Sequence, residues 1–538
     1  MSGSAGTVSG TPGGLTARPR TLLDGVLAQA RRAPRATALV WRDEEIGYGA
    51  LLHRAARERA RLTRLPGDAP VAVPAVKSPA VIALVLACLL ERRPVLLPAA
   101  TLGQDALGRL YERAGVGEVL RPCEDAGDAA GDAGHAAGDA GHAAGDAGPA
   151  AGDAGPAGGD TPTAAVPVPA VSCEGRAALL LTTSGSTGLP KIVPLGADAV
   201  DAFTGWAAGA FGIGPDTVVL NYAPLNFDLS LLDVWATLAH GGRVVLVDPE
   251  HALDGPRLLG LLLRHRVQVV QAVPMFFRLL ADAADAAGER LPAVRHALFT
   301  GDAVPGPLLA RLPALLPGAR LHSVYGCTET NDSFVHEVSA DEAAGGGPLP
   351  LGRPLPGADA FVVTDGGALL DGPGAGELFV RTPFQTRGYL GGAPGAPAFV
   401  QHPAHDDGRR YFRSGDLVRR RADGSLVLEG RTDFQVKVRG VRVNAQEVEH
   451  VLLGHGEVAE AAVLALPDPV AGRLLHALVR RAPGSKLTSL TLRGHLARRL
   501  PRAAVPFDLR IVDAPLPRTS TGKVDRDRVA SAHFTKEN

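Results

Sequence analysis

The residues with the clearest chemical character follow an apolar run, Ala177 to Leu181. The next segment, TTSGSTGLPK from Thr182 to Lys191, combines hydroxyl side chains, glycines and a lysine. Glycine lets the backbone turn tightly and bring its N–H groups close to an anion, while hydroxyls add donors and lysine adds a positive charge. The segment therefore predicts a loop that binds phosphate groups. It differs from the nucleotide loop GxxxxGK[ST], because Lys191 follows Leu-Pro with no Ser or Thr after it; an ordinary turn between two strands is the alternative.

Lysine usage favours the phosphate interpretation. The chain has 55 Lys and Arg residues, and lysine occupies only six positions: Lys77, Lys191, Lys437, Lys486, Lys523 and Lys536. A chain that uses arginine almost everywhere has kept a lysine at the end of this loop. Lys523 lies in another glycine-containing segment, Pro517 to Arg526 (PRTSTGKVDR).

One carboxylate lies in unusually apolar surroundings. Asp228 belongs to the segment Ala223 to Ser230 (APLNFDLS). An aspartate before a helix is usually an N-cap, but Ser230 or Asp233 could cap the same helix, which leaves Asp228 for another task. A partly buried carboxylate strongly prefers a cationic partner.

Bulk properties exclude several functions. With 538 residues the chain is too long for one core, and its net charge of -1 offers no electrostatic case for nucleic acid or an anionic membrane. The apolar run Ala80 to Leu90 is too short to span a bilayer, and Met1 to Arg18 lacks a signal core. The 4 cysteines lie far apart without a CxxC pair. We therefore expect a cytoplasmic protein with buried or idle thiols.

Strand and helix patterns alternate along the chain. Val71 to Val76 is a predicted strand, Ala80 to Leu90 a buried helix, and Pro94 to Pro98 the next strand. Such alternation predicts an α/β fold with a parallel, doubly wound sheet. Residues 124–160 instead repeat Ala, Gly, Asp and His at a seven-residue period without aromatic or branched apolar residues, which predicts a disordered insertion. Metal binding by its His and Asp residues is the minor alternative, because the GGxGxD spacing of calcium repeats is absent.

Six segments together resemble the signatures of the AMP-forming adenylating enzyme superfamily, which includes peptide-synthetase adenylation domains, acyl-CoA ligases and luciferases. In chain order they are the phosphate loop, Phe227-Asp-x-Ser230, Tyr325-Gly-x-Thr-Glu329, Ser414-Gly-Asp-Leu417, the hinge segment Gly430 to Gly440, and Thr521-Gly-Lys523. Each match is weak alone, but six in the family's order are not a chance result.

The resemblance implies a domain organisation. We expect a large N-terminal domain of doubly wound mixed sheets (20–432, with the insertion at 124–160) and a small mobile α+β C-terminal domain (433–530). The small domain would pivot at Asp433. Residues 1–19 and 531–538 would be tails, the first of them disordered.

The resemblance also implies cofactors and roles. ATP and Mg²⁺ are the expected cofactors. Lys523, Thr328 and Glu329 would be catalytic, and Glu329 would also hold Mg²⁺. The residues expected to bind ATP are Thr183, Ser184, Gly185, Ser186, Thr187, Lys191, Gly301, Asp302, Tyr325, Gly326, Asp416 and Arg431.

Asp416 would accept hydrogen bonds from both ribose hydroxyls. Without the other motifs, this Gly-Asp segment would be interpreted as an ordinary turn that contains an aspartate. Two residues depart from the peptide-synthetase pattern, namely Cys327 in place of a usual proline and Ser323 in place of a frequent asparagine. Neither removes a charged group, so we expect altered nucleotide affinity rather than loss of function.

The amino-acid-activating branch is favoured because its aspartate, here Asp228, pairs with the substrate ammonium. The implied substrate pocket consists of Asp228, Leu229, Leu232, Ala272, Leu298, Thr300, Val324, Asp332 and Ser333. The two leucines resemble stand-alone enzymes that activate proline, while Asp332 and Ser333 make the pocket more polar than a plain proline site needs. A small amino or imino acid with an added hydroxyl or amine fits best; a β-amino acid is an alternative, and Asp332 could instead face solvent.

The expected partner is a phosphopantetheinylated carrier protein in trans, because no carrier-domain motif is present. The expected setting is nonribosomal peptide or antibiotic biosynthesis, with no nucleic acid and no membrane. An acyl- or aryl-CoA ligase and a non-catalytic adenylate-binding protein are the rivals. The exact amino acid, the carrier, the pathway and the oligomeric state do not follow from these residues.

Overall fold

The computed structural model describes residues 21–100, 102–123, 177–183, 190–391, 398–406, 408–431, 435–439, 441–468, 471–517 and 524–534, together with the strand Val8–Ser9. Its helices are α1 (Leu22–Arg32), α2 (Tyr48–Leu62), α3 (Pro79–Leu90), α4 (Gln104–Ala114), α5 (Ala197–Phe211), α6 (Thr237–Ala239), α7 (Gly255–His265), α8 (Pro274–Ala287), α9 (Gly306–Leu309), α10 (Leu312–Leu315), α11 (Ala340–Gly345), α12 (Ala445–Leu453), α13 (Ser489–Ala497) and α14 (Arg526–His533). A π-helical segment, Leu231–Ala236, precedes α6, and 3₁₀ turns lie at Pro249–His251 and Arg502–Ala504.

The strands between residues 8 and 299 are β1 (Val8–Ser9), β2 (Thr37–Trp41), β3 (Glu44–Gly47), β4 (Val71–Ala72), β5 (Val95–Leu96), β6 (Glu118–Val119), β7 (Ala177–Thr183), β8 (Lys191–Gly196), β9 (Val218–Asn221), β10 (Arg243–Leu246), β11 (Val269–Ala272) and β12 (His296–Phe299). The later strands are β13 (Arg320–Cys327), β14 (Asn331–Val338), β15 (Arg353–Pro354), β16 (Asp359–Val363), β17 (Gly374–Arg381), β18 (Phe399–Gln401), β19 (Arg410–Arg420), β20 (Leu426–Arg431), β21 (Gln435–Val438), β22 (Val441–Asn444), β23 (Val458–Asp468), β24 (Gly472–Arg481) and β25 (Asp508–Val512).

Two mixed sheets form the body of the large domain. The wider one has the order β15-β14-β13-β12-β11-β9-β10-β2-β3 and is parallel from β13 to β2, with antiparallel strands at both edges. The narrower one has the order β6-β4-β5-β7-β8, and only β8 is antiparallel. The mixed α/β architecture predicted from the sequence is confirmed.

Helices fill the space between these sheets and cover the outer face of the wider one. α3 carries apolar residues on every side and is buried from Pro79 to Leu89, as a helix enclosed by other elements must be. It packs with α1, α2, α5 and the π-helical segment in one core. α7 to α11 form a second core on the opposite face of the wide sheet.

A third, antiparallel sheet completes the large domain, with the order β1-β16-β17-β19-β18 and β20 paired to β19. Its edge strand Val8–Ser9 pairs antiparallel with β16, although the sequence predicts disorder throughout 1–19. A sheet edge can accept a short segment through backbone hydrogen bonds alone, and composition does not reveal such pairing.

The small domain has a three-stranded sheet, β23-β24-β25, and the hairpin β21-β22. α12, α13 and α14 pack against it in two clusters of apolar residues. Asn444 caps the start of α12, since its Oδ1 accepts a hydrogen bond from the Glu447 N–H at 3.3 Å. The predicted domain boundaries stay predictions, and the repeat at 124–160 lies outside the described residues.

One strand is shorter than the sequence predicts. The segment Val71 to Val76 is strand only at Val71–Ala72, because Pro74 has no N–H with which to continue the ladder. Among the helices that the structure describes, none combines the length and apolar character required to cross a bilayer.

Candidate active site

Three of the predicted site residues lie at one edge of the wide sheet. Asp228 follows the end of β9, Thr300 follows β12, and Thr328 follows β13. These three strands are parallel, so their carboxyl ends meet at the same edge. Ligands of open α/β sheets bind in the crevice outside such ends.

Asp228 is held by donors from two elements. The hydroxyl of Thr328 donates a hydrogen bond to its carboxylate. The Leu229 N–H donates another to Oδ1 at 3.1 Å. Burial raises the pKa of Asp228, while these hydrogen bonds and the charge of Lys437 lower it. A residue predicted to bind substrate therefore contacts one predicted to act at the phosphates.

The capping expectation for this segment is wrong. Neither Ser230 nor Asp233 caps the helix with its side chain, because Ser230 Oγ donates to the Leu225 carbonyl at 3.2 Å and Asp233 is fully buried.

Asp332 is buried, which overturns the alternative that it faces solvent. It is 6% exposed, and no donor among the described residues reaches its Oδ2. Burial and the charge of Asp228 raise the pKa of Asp332 to about 8. The charge of Asp228 therefore reaches Asp332 on the substrate side of the site.

Ser333, the neighbour of Asp332, contributes less polarity than the sequence predicts. Its hydroxyl is buried, lies 3.0 Å from Thr330 Oγ1 and donates to the Asn331 carbonyl at 3.2 Å. The turn at 330–333 thus satisfies this hydroxyl internally.

The apolar pocket residues predicted from the sequence are mostly packed in the cores. Leu232, Leu298 and Val324 belong to the cluster between the two sheets, and Ala272 belongs to the cluster on the opposite face. Leu229 keeps partial exposure, and Thr300 is buried with its N–H bonded to the Ala272 carbonyl at 3.2 Å.

A buried polar cluster that the sequence did not reveal lies behind Asp332. Asn221 Nδ2 donates to Asp233 Oδ2 at 3.2 Å, and Lys77 Nζ donates to the carbonyls of Asn221 and Tyr222 at 3.1 and 2.9 Å. Burial raises the pKa of Asp233 far above its usual value, with a further contribution from Asp332, and burial lowers the pKa of Lys77 to about 7. An isolated aspartate and lysine in apolar segments were the signal that could have found this cluster.

On the nucleotide side, Tyr325, Asp416 and Arg431 lie together. Tyr325 donates its hydroxyl to Asp416 Oδ2 at 2.5 Å, and Arg431 contacts Oδ1 of the same carboxylate. Arg431 also donates to the Ser414 carbonyl at 2.8 Å. Burial and the charge of Asp416 raise the pKa of Tyr325 well above its usual value, so this hydroxyl stays protonated.

Glu329 and Lys191 are connected by a tyrosine that sequence reasoning missed. Tyr389 donates its hydroxyl to Glu329 Oε1 at 2.7 Å, and Lys191 Nζ lies 4.7 Å from the centre of the Tyr389 ring. Glu329 is 1% exposed. Thr183 Oγ1, at the end of the strand before the phosphate loop, is buried without a hydrogen-bond partner among the described residues.

The small domain reaches this site. The charge of Lys437 lowers the pKa of both Asp228 and Asp302, and the charge of Arg473 also acts on Asp302, whose pKa burial raises. Asp302 Oδ1 accepts a hydrogen bond from the Ala303 N–H at 2.8 Å.

A cavity of about 390 Å³ lies between the domains beside Asp302. Its lining includes Met275, Arg278 and Asp302 from the large domain and Arg439, Asp468 and Gly472 from the small domain.

Several predicted site residues lie outside the described residues, namely Ser184, Gly185, Ser186, Thr187, Asp433 and Lys523. Gly301 adopts a positive φ of 86° at the end of β12, and Gly326 lies on β13 beside the hairpin turn.

Comparison with known proteins decides the family. The family model for the AMP-binding enzyme matches residues 26–390. The family model for the AMP-binding enzyme C-terminal domain matches residues 447–523. The chain belongs to the AMP-binding enzyme family. The family resemblance predicted from the sequence is therefore confirmed.

Two relatives are L-proline--[L-prolyl-carrier protein] ligases. The one from Streptomyces coelicolor is 37% identical over 357 residues, which cover 66% of this chain and 66% of the relative. The one from Pseudomonas fluorescens is 34% identical over 369 residues, which cover 68% and 71%.

Solved structures of adenylating proteins share the fold. A holo NRPS protein containing adenylation and PCP domains has a TM-score of 0.76 at 22% identity, with 95% of this chain and 84% of that chain covered. The Vibrio cholerae adenylation domain AlmE in complex with glycyl-adenosine-5'-phosphate has a TM-score of 0.75 at 19% identity, with 97% and 99% covered.

Proposed function

We propose that this chain activates a small amino or imino acid with ATP and transfers it to a separate carrier protein. The substrate carboxylate attacks the α-phosphorus of ATP. The bond between this phosphorus and the oxygen that bridges it to the β-phosphorus breaks, and pyrophosphate leaves. The thiol of the carrier's phosphopantetheine then attacks the carbonyl carbon of the aminoacyl-AMP and releases AMP. The enzyme is thus an AMP-forming ligase.

The observation that carries the proposal is the position of Asp228. Its carboxylate lies at the carboxyl edge of the parallel strands and accepts a hydrogen bond from Thr328. An ammonium paired with Asp228 would leave the substrate carboxylate near the residues proposed for the phosphates. A partly buried carboxylate favours a cationic partner, so we propose that the substrate's amine pairs with Asp228.

The charge of the phosphates would be dispersed over groups from several elements. Thr183, at the start of the phosphate loop, offers a hydroxyl that has no partner within the described ranges, and Lys191 lies at the end of the loop. Lys523 and the loop residues 184–187, which lie outside the described residues, would complete this set by resemblance. Such fixed donors and charges supply electrostatic stabilisation without a covalent intermediate on the enzyme.

Glu329 suits Mg²⁺, because carboxylate oxygens are the ligands that this ion prefers and the Tyr389 hydrogen bond orients one of them. When bound, the ion would neutralise negative charge on the phosphates. Glu329 and the hydroxyl of Thr328 are the side chains proposed to hold and orient this end of the nucleotide. Asp416, in turn, has lone pairs left for the ribose hydroxyls after it accepts from Tyr325.

The carrier protein is proposed from the relatives and from the cavity between the domains. Both relatives described above carry the name of a prolyl-carrier protein ligase. The cavity beside Asp302 could admit a narrow thiol-bearing arm. Proline or a proline-like imino acid is therefore one reference substrate.

The test is ATP–pyrophosphate exchange by the full chain over a panel of amino acids, β-amino acids, and aryl and acyl acids. We expect exchange with an amino or imino acid and its loss in the Lys523→Ala variant. Exchange only with an aryl or acyl acid, unaffected by Asp228→Ala, would identify an acyl- or aryl-CoA ligase instead. No exchange with any acid would leave a non-catalytic adenylate-binding protein.

A further inference from the structure

Asp332 is a buried carboxylate on the substrate side for which the described part of the chain supplies no hydrogen-bond donor to Oδ2. It is 6% exposed, and its Oδ2 lacks a donor among the described residues. Buried polar atoms in folded proteins nearly always have a hydrogen-bond partner, so each exception asks for an explanation. A buried carboxylate without a cation or a donor is among the most unfavourable of these.

Lys77, whose charge acts on the neighbouring Asp233, does not supply a partner for Asp332. Lys77 donates to the carbonyls of Asn221 and Tyr222, and its charge acts on Asp233 behind Asp332. The charge that acts on Asp332 itself is the negative charge of Asp228. Two neighbouring carboxylates repel each other, and one ammonium cannot compensate both of them.

Other acceptor atoms of the same region are also unpartnered among the described residues. They are Asn221 Oδ1, Asp233 Oδ1 and Gln271 Oε1. Asn221 and Gln271 are register partners on adjacent parallel strands, so their side chains point to the same face of the sheet. A surplus of acceptors beside two carboxylates suits a ligand that brings several N–H donors.

Because the buried carboxylate of Asp332, whose Oδ2 has no donor among the described residues, lies near Asp228, we infer that the substrate carries a second cationic nitrogen and that Asp332 is the specificity-determining residue that binds it. The inference rests on the proposed function and names its substrate class: a short diamino or amino-imino carboxylic acid. One nitrogen pairs with Asp228 and the other with Asp332. Hydroxyl and plain proline-like substrates leave the Asp332 carboxyl without an ionic partner.

The experiment measures ATP–pyrophosphate exchange by the full chain at pH 8 with matched pairs of substrates. 2,4-Diaminobutyrate is compared with 2-aminobutyrate, 2,3-diaminopropionate with alanine, and 4-aminoproline with proline and 4-hydroxyproline. We expect the highest kcat/KM for a substrate with two nitrogens. Preference for the mono-amino or hydroxyl member of every pair would overturn the inference.

Asp332→Asn keeps the shape of the side chain and removes its charge. We expect it to lower kcat/KM for the diamino substrate by about 10- to 100-fold, the range for a hydrogen bond to a charged group. The kcat/KM for the mono-amino counterpart should change by less than about threefold. Equal losses for both members of a pair would assign Asp332 a merely structural role and contradict the inference.

Controls separate this inference from folding and from the proposed function. Asp371→Asn removes an exposed carboxylate of the same domain and should leave all substrates unchanged. If Asp332→Asn does not fold, the matched pairs in the unaltered chain decide alone, because they need no variant. If only mono-amino acids support exchange, the inference of a second nitrogen is refuted and the proposed function stands. If no amino acid supports exchange, both are refuted.

Discussion

The hydroxyl of Tyr325 donates a hydrogen bond to Oδ2 of Asp416 at 2.5 Å, while Arg431 contacts Oδ1. This arrangement fixes the carboxylate proposed to bind the ribose. We expect Tyr325→Phe to raise KM for ATP by about 10- to 100-fold, since a hydrogen bond to a charged group contributes on the order of 1.5–3 kcal/mol. The value of kcat should change little. Initial rates of pyrophosphate release at varied ATP measure both, and an unchanged KM would separate Tyr325 from nucleotide binding.

The second prediction concerns the charge of Asp228. Asp228→Asn keeps the side-chain shape but removes the charge, so KM for the amino acid should increase by about 100-fold because the substrate ammonium loses its counterion. KM for ATP should stay within a few-fold of its original value. Substrate-saturation curves with each ligand test this. A comparable rise in both KM values would indicate that the substitution disturbs Thr328 rather than the ammonium site.

The sequence predicts this edge of the sheet well because its determinants are local. Glycines, hydroxyls and caps such as Asn444 act within a few residues, and the alternation of strands and helices is visible in the apolar pattern. The parallel strands then bring Asp228 and Thr328 together, although about a hundred residues separate them in the chain.

What the sequence did not reveal depends on burial and on distant partners. Asp233 has the sequence context of a helix cap, but the structure buries it in a π-helical segment beside Asn221. Tyr389 meets Glu329 from a different sheet region, and Lys437 approaches from the small domain. No local pattern encodes such contacts, because each of them depends on how separate elements pack.

The third prediction concerns the pH dependence of stability. Burial and the charge of Asp228 raise the pKa of Asp332 from 3.8 to about 8. In the folded state the carboxyl keeps its proton where the unfolded chain has lost it. Its contribution to stability is therefore complete below about pH 4 and is lost as the pH rises toward 8.

Asp332→Asn cannot ionise and should escape this loss. In the ligand-free protein, its free energy of unfolding relative to the unaltered chain should increase by about 1.4 kcal/mol per pH unit between roughly pH 5 and 7. Asp228, Asp233 and Lys77, the charged groups around this position, are present in both proteins. Urea unfolding at several pH values tests the trend, with Asp371→Asn as the control that should show none; a pH-independent difference would refute the raised pKa.

Gly326 shows how closely the hairpin beside the site is packed. A Cβ atom added there would lie 2.3 Å from the Asn331 carbonyl oxygen and 2.8 Å from the Asp332 Cα, both of them backbone atoms that cannot rotate away. Gly326→Ala should therefore move the turn that positions Asp332. We expect it to lower the free energy of unfolding by about 1–3 kcal/mol, comparable to other steric insertions into packed regions.

The same displacement should weaken substrate binding. KM for the amino acid should therefore increase by more than the loss of stability alone would cause. The matched control is Gly209→Ala in the exposed face of α5, where an added Cβ has no neighbour within 4 Å. Alanine favours a helix over glycine by about 1 kcal/mol, so this control should be neutral or slightly stabilising. Thermal and urea unfolding of both variants decide the matter: if Gly326→Ala is as stable as Gly209→Ala and keeps its KM, the hairpin is free to relax and does not hold Asp332 in place.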